Sequence, residues 1–238
     1  MGNLVIKGRP AWLGAYNFAD QMNALAIDYG SEAQNNTILT DSNVSNIGGL
    51  FTFGFAFQGF SDHSAADGVA FTNIGSSAPL VSATESGTEQ EIAYLVNTKQ
   101  LSVTPIQGSV GDMAGLEVTG NSADRLIRGV LECNRTAAAT STSTGIQQGS
   151  VSATQKMYAS LHVTAASGSS PTLDCVVQSD DNAAFTSATS RIVFTQATTT
   201  TSEFSSVSGA ITDDYWRVSF TIGGTTPSFT FALAFGII

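Results

Sequence analysis

The chain has 238 residues, a formal net charge of −10 and only 12% charged residues, of which nine are lysine or arginine. So few cations argue against a nucleic-acid reader, because phosphate binding needs clustered Lys and Arg side chains. A soluble domain usually has about a quarter of its residues charged, so the deficit indicates a subunit whose surface is largely covered by neighbours. The alternative from composition is an extracellular-type β protein with a hydroxyl-rich surface.

The first predicted elements are a strand and a long polar loop. Alternating apolar residues over 25–29 predict a half-buried strand that ends at Gly30. Residues 31–49 are mostly polar, with a small apolar island at Ile38 and Leu39, and predict a long excursion between two strands that pair. Connections of this length in compact domains are usually functional or disordered.

Residues 51–58 place phenylalanine at every second position. Successive side chains of a β-strand point to opposite faces, so the pattern predicts an aromatic face and a small, nearly flat face. The aromatic face contains Phe51, Phe53, Phe55 and Phe57, and the small face contains Thr52, Gly54, Ala56 and Gln58. A free edge with this row would be a template for aggregation, so we expect the strand to be central, covered or paired across a subunit boundary.

The next segment predicts one short helix among further strands. Residues 62–79 form a glycine-rich connection, and residues 88–91 match a capping box in front of the apolar residues of 92–96. A helix is the first interpretation of 88–96, and a strand is the alternative because Tyr and Val favour strands. Further strands are predicted at residues 101–106, 115–119 and 126–133.

The sequence divides into two predicted β modules, 1–135 and 156–238. Residues 136–155 between them carry no charge and are rich in Ser and Thr, which is typical of a linker or a crossing segment. The second module contains a near-repeat, 158–175 and 216–231, in which each copy reads as strand, glycine and hydroxyl turn, proline, strand. Two similar hairpins that face one another predict a small β-sandwich.

No catalytic, metal or cofactor site is predicted. The only histidines are His63 and His162, and the second lies in mid-strand, where a structural imidazole is expected. No nucleophile turn, phosphate loop or Cys–His pair is present, and the acidic pairs are typical of solvated turns. Tyr215 and Trp216 suit a sugar-stacking face, but packing between the sheets is the favoured interpretation.

Cysteine usage and the two ends of the sequence bear on location. Cys133 and Cys175 are too few and too far apart for a disulfide scaffold, so buried free thiols are expected. The N-terminal segment shows no signal peptide, which predicts synthesis in a reducing cytoplasm. The uncharged C-terminal segment is interrupted at residues 223–227 and predicts a hairpin in place of a membrane span.

Residues 20–60 resemble the opening of the major tail (tail tube) proteins of long-tailed bacteriophages. The likeness rests on residues 22–33, followed by Thr37, Asp41, Asn46 and residues 48–50, which lead into the phenylalanine row. Members of that family show a strand that ends in a small residue and an acid, a polar loop with Thr and Asp, and a Gly-Leu entry into a long alternating strand. The C-terminal repeat resembles the accessory β-sandwich of some tail and other virion proteins.

The resemblance implies a mainly β fold: a tail-tube-like β-barrel or sandwich with one short helix, followed by a smaller C-terminal β-sandwich. It implies a virion tail protein, made in the host cytoplasm, that associates with itself in hexameric rings and with other virion proteins. The genomic DNA would pass through without specific binding, and no enzyme activity, cofactor or membrane contact is implied.

Within this family the phenylalanine strand and the strand at 25–29 would build the wall, and residues 31–49 would reach the next ring. The phenylalanine strand has no acidic residue, so an acidic lumen would need Asp28, Glu32 or other strands. The resulting assembly candidates are Ile38, Leu39, Asp41 and the eight residues Phe51, Thr52, Phe53, Gly54, Phe55, Ala56, Phe57 and Gln58. The alternatives are a capsid decoration protein, which would sit around a threefold axis, and a carbohydrate- or receptor-binding module with Tyr215 and Trp216 as contacts.

Overall fold

A computed structural model describes residues 9–40, 42–61, 66–75, 79–122 and 124–238. The fold is mainly β, as predicted, with two antiparallel sheets and one short helix in the described residues. The elements are β1 (Ala11–Leu13), β2 (Tyr16–Asn17), β3 (Met22–Asn35), β4 (Asn46–Phe60), α1 (Ala66–Asn73), β5 (Leu80–Thr84), β6 (Ile92–Asn97), β7 (Gln100–Gln107), β8 (Gly115–Ser122), β9 (Ile127–Ala137), β10 (Ser141–Thr142), β11 (Ile146–Gln147), β12 (Lys156–Asp180), β13 (Thr189–Val193), β14 (Thr201–Ser208) and β15 (Tyr215–Ile237).

The chain forms two compact units. The first contains Met1–Asp20, Leu80–Leu95 and Ile127–Ile238, and the second contains Gln21–Pro79 and Val96–Leu126. The predicted linker at 136–155 lies inside the first unit, where β10 and β11 both pair with β15. The division differs from the predicted one because β9, which was assigned to the first module, also pairs with β15.

The predicted pair of C-terminal hairpins is wrong. Strands β12 and β15 instead pair with each other along their whole lengths, and each predicted turn is a bend inside one strand. Gly168 and Gly224 both have φ of +112°, and Ser170 and Thr226, two residues further on, have φ of 49° and 48°. A Cβ on Gly168 would lie 2.7 Å from the carbonyl oxygen of Thr226, and one on Gly224 would lie 2.7 Å from that of Ser170. The near-repeat therefore marks two matching bends that touch, where only glycine fits.

The bends allow the two halves of the long strands to face one another around one core. Phe220 and Phe231 lie on opposite sides of the bend in β15, yet their rings meet edge to face with centroids 5.2 Å apart. Trp216 is fully buried in this core and donates its indole N–H to the carbonyl oxygen of Gly149 at 2.8 Å. Cys133 and Cys175 lie in the same core as free thiols, as expected.

His162 has the structural role that the sequence predicts. It is fully buried, and Trp12 stacks on it with ring centroids 5.8 Å apart. Nδ1 lies 2.6 Å from the carbonyl oxygen of Gly14, which only accepts, so Nδ1 carries the proton and Nε2 accepts from the Ser82 hydroxyl at 2.8 Å. Burial lowers the pKa of His162 to about 4, which keeps the imidazole neutral near pH 7.

The predicted helix at 88–96 is also wrong, because residues 92–97 form strand β6, which pairs with β9. Glu89 does not cap a helix: its Oε1 accepts from the backbone N–H of Asn134 at 2.9 Å and from Nε of Arg135 at 2.7 Å. The one helix in the described residues, α1, lies in the stretch predicted to be a connection. Cross-strand partners therefore outweighed the local capping pattern.

A buried carboxyl in the first unit makes stability depend on pH. Glu132 is 1% exposed; its Oε1 accepts from the Ser143 hydroxyl at 2.6 Å, and its Oε2 has no hydrogen-bond partner among the described residues. Burial raises the pKa of Glu132 from 4.5 to about 8. Between these values the folded chain holds a proton that the unfolded chain has released, so the folded state loses stability as pH rises from about 4.5 to about 8.

Glu132→Gln is expected to reduce this loss, because the amide remains neutral at every pH. The variant should be more stable than the original chain at pH 8, by on the order of 3 kcal/mol, and close to it at pH 5. Urea denaturation at both values measures the effect, with Glu32→Gln as a control at an exposed glutamate. If the stability of Glu132→Gln and that of the original chain depend on pH equally, Glu132 ionises normally in the folded state.

Candidate assembly surface

The four-stranded sheet of the second unit has the order β3-β4-β8-β7, so β3 and β7 are its edges in the described chain. Strand β3 does not end at Gly30 as predicted but continues to Asn35, and β4 begins at Asn46. The predicted loop at 31–49 is therefore only the connection 36–45. The two strands remain paired here because backbone hydrogen bonds join them. Side chains that are exposed on both faces of a ribbon do not need to alternate between apolar and polar.

The aromatic face of β4 is buried over three of its four positions. Phe53, Phe55 and Phe57 are at most 4% exposed, and the rings of Phe55 and Phe57 have centroids 4.7 Å apart. Gly120 of β8 lies opposite Phe55, and a Cβ there would overlap its ring. The row therefore forms a core, and the close approach of β8 requires glycine beneath it.

Phe51 lies at the end of the aromatic face that is not buried. It is 41% exposed, its ring stacks on Tyr29 with centroids 5.8 Å apart, and the guanidinium of Arg125 lies 4.8 Å from the ring centroid. Tyrosine and arginine are enriched among the residues that dominate protein interfaces. The stack is thus an ordered aromatic and cationic group at the base of the projecting part of the β3–β4 hairpin.

The opposite face of the sheet, called the small face below, carries small or polar side chains, except for Phe60 at one end, and no lysine or arginine. Its members follow from the strand register: Ala24, Ala26, Asp28, Gly30, Thr52, Gly54, Ala56, Gln58, Phe60, Gln100, Ser102, Thr104, Gln107, Gly115, Glu117, Thr119 and Asn121. All are exposed or half-buried. Thr52, Gly54, Ala56 and Gln58, which the sequence placed on one row, lie at its centre.

Two carboxylates supply the negative charge that the phenylalanine strand lacks. Asp28 pairs directly with Gly54, and Glu117 pairs with Gln58, whose side-chain N–H donates to Glu117 Oε1 at 2.7 Å. Asp28 was anticipated from the sequence. Glu117 was missed, although its alternation with Leu116 and Val118 is the signal that places it on the polar face of β8.

Strand β8 pairs with β4 only at residues 53–60. Residues 46–52 of β4 therefore pair with β3 alone, and this part of the hairpin is a two-stranded ribbon. About six residues of each strand project, or roughly 20 Å at the rise of a β-strand. An isolated two-stranded ribbon is marginally stable in water. Its exposed apolar side chains are Ile38, Leu39, Val44, Ile47 and Leu50.

The connection at the tip is ordered by its own hydrogen bonds. The N–H of Asn36 donates to the carbonyl oxygen of Ser45 at 3.0 Å, and the N–H of Ser45 donates to Oγ1 of Thr37 at 2.8 Å. Leu39 is 108% exposed at this tip, so it contributes nothing to the packing of its own subunit. Asp41, the third candidate predicted in this connection, lies outside the described residues.

Large exposed hydrophobic side chains are concentrated in the second unit. All of those in the described chain belong to it except Val193: Tyr29, Ile38, Leu39, Val44, Ile47, Leu50, Phe51, Phe60, Phe71, Ile74, Ile106, Val110 and Met113. Apolar surface concentrated in this way marks an interaction site. The candidate surface is therefore placed on the second unit.

Neither of the two predicted sugar contacts is an exposed side chain. Trp216 is fully buried with its N–H satisfied, which agrees with the core packing favoured from the sequence, and Tyr215 is half-buried beside it. Within the described ranges, no three His, Cys, Asp or Glu residues are grouped so as to hold a metal ion. The same part of the chain contains no helix with the length and apolar character needed to cross a membrane. His63 lies outside the described residues.

Comparison with known proteins gives no family and several weak likenesses of fold. No protein-family model matches the sequence, and no curated protein matches it. A chain of the virion of the native gene transfer agent particle is 16% identical with a TM-score of 0.36, over 44% of this chain and 82% of that one. A chain of the PVC extracellular contractile injection system, from its sheath/tube terminator in the extended state, is 14% identical with a TM-score of 0.41, over 54% and 97%. The SPP1 Dit protein, of the hub adsorption apparatus, is 8% identical with a TM-score of 0.38, over 98% and 100%.

Proposed function

We propose that this chain is a bacteriophage virion structural protein, a tail tube subunit that assembles with itself into stacked hexameric rings around the DNA channel. The observation that carries the proposal is the sheet of the second unit, which has one buried aromatic face, one exposed small face without a cation, and a 14-residue edge strand, β3. The hexameric state is taken from the resemblance of residues 20–60 to tail tube proteins.

The small face suits a wall along which DNA moves without binding. Lysine and arginine would hold phosphates, and none occurs on this face, whereas Asp28 and Glu117 repel them. Short side chains such as those of Ala26, Gly54 and Ala56 leave the wall smooth. An acidic or neutral wall therefore lowers non-specific binding without any moving part.

The edges of the sheet provide the contacts between neighbours in a ring. Strand β3 presents the unpaired backbone groups of an edge strand, and its only charged residues are Asp28 and Glu32, so it lacks the lysines that usually protect such edges. Pairing of β3 with β7 of the next copy would join the sheets into a continuous barrel. Pro105 and the register shift after Thr104 restrict this pairing to the start of β7.

Electron microscopy of the concentrated protein tests the proposal. We expect rings or short tubes with sixfold symmetry, and the same protein in purified virion tails. A protein that remains monomeric at high concentration and is absent from tails contradicts the proposal. Trimers bound to a head lattice would identify the capsid decoration protein instead. For a tail tube subunit and for a capsid decoration protein alike, the binding of duplex DNA should be weak even at low salt, since electrostatic attraction is absent.

A further inference from the structure

Residues 138–150, called the strap below, cross the first part of β15 and bury one side chain. Strands β10 and β11 of the strap have two residues each, and both pair with β15. Along the strap Ser143 alone is buried, Ile146 is half-buried, and most of the other residues are exposed. Such a segment gains little from the hydrophobic effect, so its position depends mainly on hydrogen bonds.

Ser143 joins the strap to two other strands. Its N–H donates to the carbonyl oxygen of Val218 in β15 at 2.8 Å, and its hydroxyl accepts from the N–H of Val218 at 2.8 Å. The same hydroxyl donates to Oε1 of Glu132 in β9 at 2.6 Å. A single side chain therefore connects the strap, the backbone of β15 and the buried carboxyl.

Glu132 meets the strap because it is the extra residue of a β-bulge. Leu131 pairs with Ala234 and Cys133 pairs with Leu233, so the ladder between β9 and β15 passes over Glu132. Cys133 lies in the core around Trp216, whereas Leu131, two residues earlier, packs in a different cluster of buried side chains. Bulges change the direction of a side chain in this way, and here the change buries a carboxyl.

The C-terminal end of the strap is anchored. The N–H groups of Gln148 and Gly149 donate to the carbonyl oxygen of Asp214 at 3.0 and 3.1 Å. The carbonyl oxygen of Gly149 also accepts from the buried indole of Trp216 at 2.8 Å, so this end is tied to the core.

Residues 140–144 are held more weakly. The N–H of Ile222 donates to Oγ1 of Thr140 at 3.0 Å, and Nε2 of Gln90 donates to the carbonyl oxygen of Thr144 at 2.9 Å, both at exposed positions. Hydrogen bonds that are exposed to water contribute little, because water replaces either partner. Ser143 is thus the principal hold on this part of the strap.

Ionisation of Glu132 opposes the closed position of the strap. The charged groups that act on Glu132 are Glu89, from the turn that covers β9, and Arg135 of β9, and these two form an ion pair with each other. The strap carries no charge, and the one charged residue of β15, Arg217, donates to Gln178. Burial raises the pKa of Glu132 to about 8, and an open strap would let water reach the carboxylate and return the pKa towards 4.5. The open form therefore gains on the closed form as pH rises from about 4.5 to about 8.

We propose that residues 140–144 form a pH-sensitive latch: Ser143 holds the strap closed on protonated Glu132, and release of that proton to solvent opens it. The anchored end at 146–149 stays in place. Opening leaves the backbone groups of β15 at 218–222 without their partners in the strap, and an uncovered edge of this kind can pair with another strand. The inference concerns the first unit alone and does not depend on the proposed tail tube.

Residue-resolved amide hydrogen exchange between pH 5 and pH 8 tests the latch, with each rate divided by the intrinsic rate at that pH. The protection of the Ser143 and Val218 amides should fall at least about a hundredfold over this range, because opening is linked to the loss of one proton. At every pH it should be at least about tenfold lower than the protection of Leu161, which is paired with β14 on one side and β15 on the other. Equal protection at these sites would mean that exchange occurs only by global unfolding, which overturns the inference.

Two substitutions identify the groups that form the latch. Glu132→Gln should remove the pH dependence of protection at Val218, because an amide does not ionise. A dependence that persists in this variant, or that is missing from the original chain, overturns the inference. Ser143→Ala should lower the protection of Val218 at least about tenfold at pH 5, whereas Ser141→Ala, at an exposed position of the same strap, should leave it unchanged. Equal effects of the two alanine variants would show that the Ser143 hydroxyl does not hold the strap.

Discussion

Phe55→Ala is expected to lower the free energy of unfolding by about 3–5 kcal/mol. The ring lies between Phe53 and Phe57 in the buried row, with centroid distances of 6.1 and 4.7 Å. Gly120 beneath it has no side chain that could move into the space, so a cavity would remain. Chemical denaturation measures the loss, provided that the second unit is followed by a probe of its own.

Phe51→Ala is the control within the same row. This ring is 41% exposed and lies beyond the last pair with β8, so its removal should cost about 1 kcal/mol or less. Equal losses for the two variants would mean that Phe55 is not packed in a core. A loss for Phe51→Ala larger than that for Phe55→Ala would place the core around the ribbon instead.

Gly54→Glu is expected to disturb assembly while it leaves the subunit folded. A Cβ at Gly54 meets only the carbonyl oxygen of Gly120 at 3.9 Å, so the side chain fits in the isolated subunit. Repulsion from Asp28, which pairs directly with position 54, should cost less than about 1 kcal/mol of stability. In the proposed ring the added carboxylates of all copies would surround one channel, and their mutual repulsion should raise the concentration needed for assembly at least about tenfold.

Two controls separate charge from size in this experiment. Gly54→Gln has nearly the same volume without the charge and should assemble much more readily than Gly54→Glu. High salt should restore assembly of the glutamate variant in part, because it screens repulsion across the channel. If Gly54→Glu forms rings at the concentration of the original chain, the small face does not face its own copies. If it unfolds while Phe55→Ala remains stable, the two faces of β4 are assigned the wrong way round.

The assignment of the two faces of β4 could be made from the sequence because it depends on a period of two and on nothing further away. Phe53, Phe55 and Phe57 are buried, and Gly54 and Ala56 between them are half-buried, as the alternation requires. The extent of the hairpin could not be found in this way. Residues 31–35 and 46–50 have no apolar alternation, and they are strands only because each pairs with the other.

The C-terminal near-repeat shows why a correct local pattern led to a wrong topology. A glycine, two hydroxyl residues and a proline occur both at β-turns and at bends within a strand, and local sequence does not separate the two. Ser169 pairs with Thr225, so each bend is packed against the other at a distance of 56 residues. The failed helix at 88–96 has the same cause, since Glu89 found partners in Asn134 and Arg135 of a distant strand.

The sequence by itself determined the β class, the burial of Phe53, Phe55 and Phe57, the buried thiols and the structural roles of His162 and Trp216. Each of these follows from residue type and short-range periodicity. Only the tertiary structure decided that β12 pairs with β15, that Asp28 and Glu117 share one face, and that Glu132 meets Ser143 of the predicted linker. The physical reason is that strand pairing joins residues far apart in the chain. Which strands pair depends on the contacts that both strands make together, and the sequence of one strand alone does not specify them.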